Sequence, residues 1–185
     1  TVTIMDANLC VLIDSVNILE PSSSITIDSL IISGVTCHND QDASITVVAS
    51  GGQGSYLYSM NNGFNTQSSN VFYPLQTGQH IMYVQDILGC VDRDTVEIIN
   101  PDSLYIDTTI FSHVQCYGMN NGYIQAISAF GGTPPFMYAV NGGATHANMA
   151  YFNGYGPGTY TVEVFDVNNC GAQDIIIITE PDELD

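Results

Sequence analysis

Gly158–Cys170 reads GTYTVEVFDVNNC: an alternating strand, an Asp/Asn turn, then a cysteine. The same ending recurs at Thr1–Cys10 (TVTIMDANLC) and Ile81–Cys90 (IMYVQDILGC), so that Cys10, Cys90 and Cys170 stand at equal intervals along the chain. Pro21, Pro101 and Pro181 follow the same step. A fixed internal period is the signature of a repeat array, in which each period is one structural unit. The period predicts complete copies over 22–101 and 102–181. It assigns 1–21 as the tail of a preceding copy and 182–185 as the start of the next junction.

The strand pattern orients the side chains. Val2, Met82 and Val162 are equivalent, as are Ile4, Val84 and Val164, and all six are apolar. Successive side chains of a strand point to opposite faces, so this face is expected to turn inward in every copy. Thr3, Tyr83 and Glu163 lie between them and suit solvent. Further strands are expected over Val11–Leu19, Ile25–Ser33, Ala43–Ala49, Ser55–Met60, Val71–Leu75, Gln79–Gln85 and Val91–Ile99. In the second copy they fall at Ile124–Phe130, Phe136–Val140, Thr159–Phe165 and Asp174–Thr179. Turns at Gly51–Gly54 and Asn61–Gly63 separate them. No stretch keeps a 3.6-residue apolar period. The fold class is therefore all-β: tandem Ig-like, Greek-key β-sandwich modules of about 80 residues, arranged end to end. Pro157–Tyr160 resembles the tyrosine corner of such sandwiches, whereas the first copy has His80 at the tyrosine position.

Charge excludes several functions. The net charge is −18, Arg93 is the one basic residue besides histidine, and there is no lysine. Nucleic acid is excluded as a partner, because neutralising phosphates takes Lys and Arg. Apolar runs such as Ile175–Ile178 are too short for direct membrane insertion.

The five cysteines fit the period. Cys37–Cys90 and Cys116–Cys170 give each copy one pair, and Cys10 is left for a cysteine upstream. Regular pairing of this kind points to disulfides and an oxidising location, and no CxxC or Cys/His cluster offers a metal site. Loops of that length would contribute about 4 kcal/mol each in the chain-entropy model.

Gly131–Pro135 (GGTPP), Tyr138, Gly158–Val162 (GTYTV) and Asp166–Cys170 (DVNNC) together resemble the SprB-type repeat of Bacteroidota cell-surface adhesins. Asp6–Cys10 matches the end of the motif. The first copy departs from it, with Gln53-Gly54-Ser55 for Thr-Pro-Pro and Gln79-His80 for Thr-Tyr. The resemblance implies very long proteins exported by the type IX system to the extracellular face of the cell, serving adhesion and in some cases gliding motility. It transfers no catalytic residue. The resulting expectation is a non-catalytic stalk or fibre segment whose partners are neighbouring repeats, with surface polysaccharide or other cells at a distance. Two alternatives stand beside it: a filament with lateral subunit contacts, and a polysaccharide-binding module of a secreted enzyme.

Two further site classes are open. Asp6, Asp86 and Asp166 recur in every copy and are either weak Ca²⁺ candidates or Asx-turn formers whose carboxylates cap backbone N–H groups. No other cofactor is implied. His38, His80, His113 and His146 form no ligand pair, and Tyr56, Tyr58, Phe136 and Tyr138 suit core packing better than sugar stacking.

Five of the fourteen aspartates precede Ser or Thr and then an aliphatic residue or Thr, which looks like the Bacteroidota O-glycosylation pattern at Ser15, Ser29, Thr95, Ser103 and Thr108. Ordinary strand-edge alternation produces the same triplets. Intact-mass measurement on native protein separates the two. Glycosylation predicts mass above the polypeptide, lost stepwise in Ser/Thr→Ala variants at these five positions, and a bare polypeptide mass would sink it.

Overall fold

The computed structural model describes residues 1–17, 23–147 and 151–184. The Glu20-Pro21 junction and the end of the Val11–Leu19 strand lie outside them.

Strands β1 (Val2–Met5) and β2 (Val11–Asp14) form a two-stranded antiparallel sheet. The first complete copy supplies β3 (Thr26–Ser33), β4 (Ala43–Ser50), β5 (Leu57–Met60), β6 (Val71–Leu75), β7 (Gly78–Gln85) and β8 (Val91–Ile98). The second supplies β9 (Tyr105–Ser112), β10 (Gly122–Phe130), β11 (Met137–Val140), β12 (His146–Ala147), β13 (Tyr151–Tyr155), β14 (Gly158–Phe165) and β15 (Gly171–Ile178). Among the described residues there is no helix.

Contacts divide the chain into two compact units. One comprises Thr1–Ser29, Val47–Asn70 and Ile81–Asp94; the other comprises Leu30–Thr46, Val71–His80 and Thr95–Asp185. The second unit holds the whole second copy, whose sheets run β13-β10-β9 and β12-β11-β14-β15. Lettered in chain order, these are the E-B-A and C′-C-F-G sheets of an Ig-like sandwich. The first copy repeats the pairing order as β3-β4-β6 and β5-β7-β8. Pro74 sits in β6, at a sheet edge, where its missing N–H breaks no central ladder.

The core of the second copy follows from alternation. Ile124 and Ala126 of β10 meet Tyr138 and Val140 of β11, Val162 and Val164 of β14, and Ile176 and Ile178 of β15. Met82, Val84, Val162 and Val164 are fully buried, as the pattern predicts. Val2 and Ile4 correct that expectation: they are 59% and 62% exposed. Their hairpin has no three-stranded sheet of its own among the described residues to cover the apolar face.

Burial makes the two faces of a strand energetically unequal. Ile124→Ala is expected to cost about 2–5 kcal/mol, because it empties a fully buried site. Ile175→Ala, on a side chain 61% exposed, is expected to stay within about 0.5 kcal/mol. Chemical denaturation of the two variants checks the contrast.

Candidate functional site

The F–G turn is built on its aspartate. In the second copy, Asp166 Oδ1 accepts the amides of Asn168 (2.9 Å) and Cys170 (2.8 Å), and Oδ2 accepts the amide of Thr133 (2.8 Å). In the first copy, Asp86 does the same with Leu88 (3.0 Å), Cys90 (2.9 Å) and Gln53 (3.0 Å). Both carboxylates are buried. Asp6 accepts the amides of Asn8 and Cys10 and is exposed. These are the bonds of the Asx-turn reading, and in Asp86 and Asp166 both carboxylate oxygens are engaged by backbone. Among the described residues no group of three or more His, Cys, Asp or Glu is placed to hold a metal ion.

The third bond pins the F–G turn to the B–C loop, and the Gly-Gly doublet of that loop makes it attainable. Gly131 has φ of 72°, and a Cβ there would lie 2.0 Å from Ser103 O. A Cβ on Gly132 would crowd Asp166 Oδ2 at 3.0 Å. Gly51 and Gly52 stand in the same relation to Ser24 O and Asp86 Oδ2, at 2.0 and 2.8 Å. Left-handed backbone and close approach both demand glycine here.

Burial pushes the Asp86 carboxyl upward. Amide bonds from Gln53, Cys90 and Leu88, with the Cys90 thiol, outweigh it and hold the pKa below the ordinary carboxylate value.

The tyrosine corner is present. Tyr160 donates its hydroxyl to Gly156 O at 3.0 Å. In the first copy His80 replaces it and keeps the bond, from Nε2 to Gln76 O at 2.9 Å, again four residues upstream. Imidazole substitutes for phenol because either can donate one hydrogen bond backward at that reach. The His80 Nδ1 is buried without a partner.

The cysteines join differently from the expectation. One bridge links Cys37 to Cys170, at a sequence separation of 133, and Cys10, Cys90 and Cys116 carry exposed free thiols. The pairs Cys37–Cys90 and Cys116–Cys170 are therefore corrected. The reason is the length of a strand. In the second copy the A–B loop is tied to the far end of β15, where Gly118 N donates to Glu180 Oε2 at 2.7 Å. Cys116 sits in that loop, whereas Cys170 immediately precedes the first residue of β15. Eight extended residues span about 26 Å, and a disulfide tolerates a Cα separation of at most about 7 Å. A–B and F–G cysteines of one copy thus lie at opposite ends of it.

The A–B loop of the first copy likewise closes on the segment just after its last strand, β8. Asn39 and Asn100 exchange two bonds of 2.9 Å, and the His38 ring donates from Nδ1 to Pro101 O at 2.7 Å. Thr36 bonds Asp42 through both its amide and its hydroxyl, the hydroxyl contact first in lowering the Asp42 pKa. Around the bridge lies a groove of about 320 Å³, lined by Cys37, His38, Pro101, Thr133, Asp166 and Cys170 among others. At this joint the bridge fastens the first sequence copy to the second, while the Asn39–Asn100 and His38–Pro101 bonds hold the A–B loop in place within the first copy. The joint's parts are structural: backbone caps, a bridge and a short linker.

The remaining candidates separate cleanly. Ser15, Ser29, Thr95, Ser103 and Thr108 are all exposed. His113 Nδ1 accepts the Thr179 amide, and His146 packs edge-on against Phe152. Tyr58 and Tyr138 are buried, Phe136 packs on the core, and Tyr56 donates to Gly51 O. Sequence reading misses a second set of aromatics on the A-B-E sheet: Tyr105 stacks with Phe130 at 6.0 Å, and Tyr123 lies 5.2 Å from Tyr151. The first pair faces across the ladder in register, but the bulges in β10 that set this register carry no sequence mark.

Residues 29–65 and 108–145 each match the family model described as the SprB repeat. The two matches are displaced from one another by one period of the sequence repeat, one in each complete copy. No curated protein matches the chain.

Asp166→Ala is expected to destabilise by about 2–4 kcal/mol, since three N–H groups lose a charged acceptor. Asp166→Asn should recover only part of it, because its NH₂ would face the Thr133 amide. The folded pKa of Asp86 lies below the unfolded one, so its contribution is complete above the unfolded value, about 3.9. It is lost as pH falls through the folded value, and denaturant titrations between pH 5 and pH 2 measure this. Repeating the melts with a chelator decides the Ca²⁺ alternative: an unchanged Tm removes it.

Proposed function

The chain carries a SprB-type repeat region, and from that premise we propose that it is a non-catalytic structural segment of a long cell-surface adhesin, a stalk whose modules hold a distal binding region away from the cell. SprB repeats are structural rather than catalytic and are typical of cell-surface or extracellular proteins, which gives the proposal its location. The observation that carries it is the joint: the Cys37–Cys170 disulfide fastens the A–B loop of one copy to the F–G turn of the next, and the Asn39–Asn100 pair and the His38–Pro101 bond hold that loop in place within the first copy. Stacked units joined by near-neighbour contacts are how repeat proteins gain length. Modules over 22–101 and 102–181, with 1–21 as the F–G hairpin of a further copy, belong to the same proposal. The exposed apolar face of Val2 and Ile4, buried at equivalent positions elsewhere, supports it.

One observation favours the polysaccharide-binding alternative. The exposed rings of Tyr105, Phe130 and Tyr151 lie on the A-B-E sheet, where they are open to stacking on sugar rings.

Electron microscopy of the native cell surface checks the stalk: thin strands whose length scales with copy number are expected, and laterally ordered fibres would favour the filament instead. A glycan array probed with the chain and with Tyr151→Ala addresses the sugar reading, which fails if neither binds.

A further inference from the structure

The Cys37–Cys170 bridge has a defined place in the period. Cys37 and Cys116 are equivalent A–B cysteines, one in each complete copy, and Cys10, Cys90 and Cys170 are equivalent F–G cysteines. The one bridge present joins an A–B cysteine to the F–G cysteine of the next copy. The three cysteines left over are those whose counterparts under that rule fall outside residues 1–185, and all three are exposed. The local scaffold is repeated as well. Cys90 and Cys10 sit in the same aspartate-capped turn as Cys170, and Gly118 and Glu180 tie the Cys116 loop to the end of β15 as Asn39 and Asn100 tie the Cys37 loop to the linker.

We propose that every joint of the array is strapped by a forward disulfide, so that Cys116 bridges to the F–G cysteine of a following copy, and Cys90 and Cys10 bridge to A–B cysteines of preceding copies. Each partner lies about 133 residues away along the same chain. The inference rests on the array reading proposed above. Bridging takes two exchanges with a disulfide-bearing oxidoreductase. The Cys116 thiolate attacks the donor disulfide to give a mixed disulfide, and the partner thiolate then attacks the Cys116 sulfur and expels the donor as its dithiol. Two protons leave the cysteines, and two electrons pass to the donor.

The loops so closed overlap. Each spans most of two copies, and the next opens before the last has closed, since Cys116 lies inside the loop from Cys37 to Cys170. Tension on the chain passes through the bridge and bypasses the segment it encloses.

Non-reducing peptide mapping of the native full-length protein is the test. The expected result is a Cys116 peptide linked to the F–G cysteine of the following copy. Linkage of Cys116 to Cys170 or of Cys37 to Cys90, alkylatable thiols at Cys90 and Cys116, or links between separate chains would each overturn the strap. Finding no further copies in that protein would instead overturn the array reading. Force spectroscopy on residues 1–185 supplies a second readout. Reduction should release about 450 Å of contour, 133 residues at ~3.4 Å each, and Cys37→Ser should abolish the difference. Two separate releases of about 180 Å, the contour of the shorter loops at ~3.4 Å per residue, would mean bridges within copies and would overturn the proposal.

Discussion

A buried carboxylate that accepts three backbone N–H bonds sets the end of each complete copy. Asp166 closes its own turn with one oxygen and reaches the B–C loop with the other, and Asp86 does likewise. A carboxylate out of water is costly unless its lone pairs are filled, so the B–C amide must be within reach. That requirement fixes the Gly-Gly doublet, because any other residue passing under the carboxylate would bring a Cβ into collision. It also holds the cysteine at the end of the turn, whose amide is one of the three donors. Cys170 is thereby presented at the rim of the second copy, where the A–B loop of the first copy meets it.

The first copy shows which parts of this scheme tolerate change. Thr133-Pro134-Pro135 becomes Gln53-Gly54-Ser55, and the amide bond to the aspartate survives because it comes from backbone. Tyr160 becomes His80, and the corner bond survives because both side chains donate across four residues. Between the two copies, hydrogen bonds are kept more faithfully than residue types.

Much of the fold is legible in the sequence because alternation and period are direct consequences of strand geometry. Strands β10, β14 and β7 announce themselves through period-two apolar residues. Strand β13, Tyr151–Tyr155, does not, because its Asn153-Gly154 breaks the pattern and pairing with β10 alone makes it a strand. The Asx turn is readable from Asp-x-Asn-x-Cys, whose spacing matches the reach of one carboxylate. The disulfide partner is not. For Cys37, the F–G cysteine of its own copy (Cys90) and that of the next (Cys170) differ by one period, and a repeat is blind to that shift. Only the direction of strand β15, which carries the chain from the F–G turn to the opposite end of the copy, resolves the ambiguity.

That separation of the two cysteines also gives the joint a polarity. The surface offering the A–B loop differs from the surface receiving it, so the contact is heterologous rather than self-complementary. Two identical chains cannot meet through it about a twofold axis, and repeated use generates an open, directional series instead of a closed pair. In an array strapped as proposed, one end would present an A–B thiol and the other an F–G thiol, so its two termini would be chemically distinguishable.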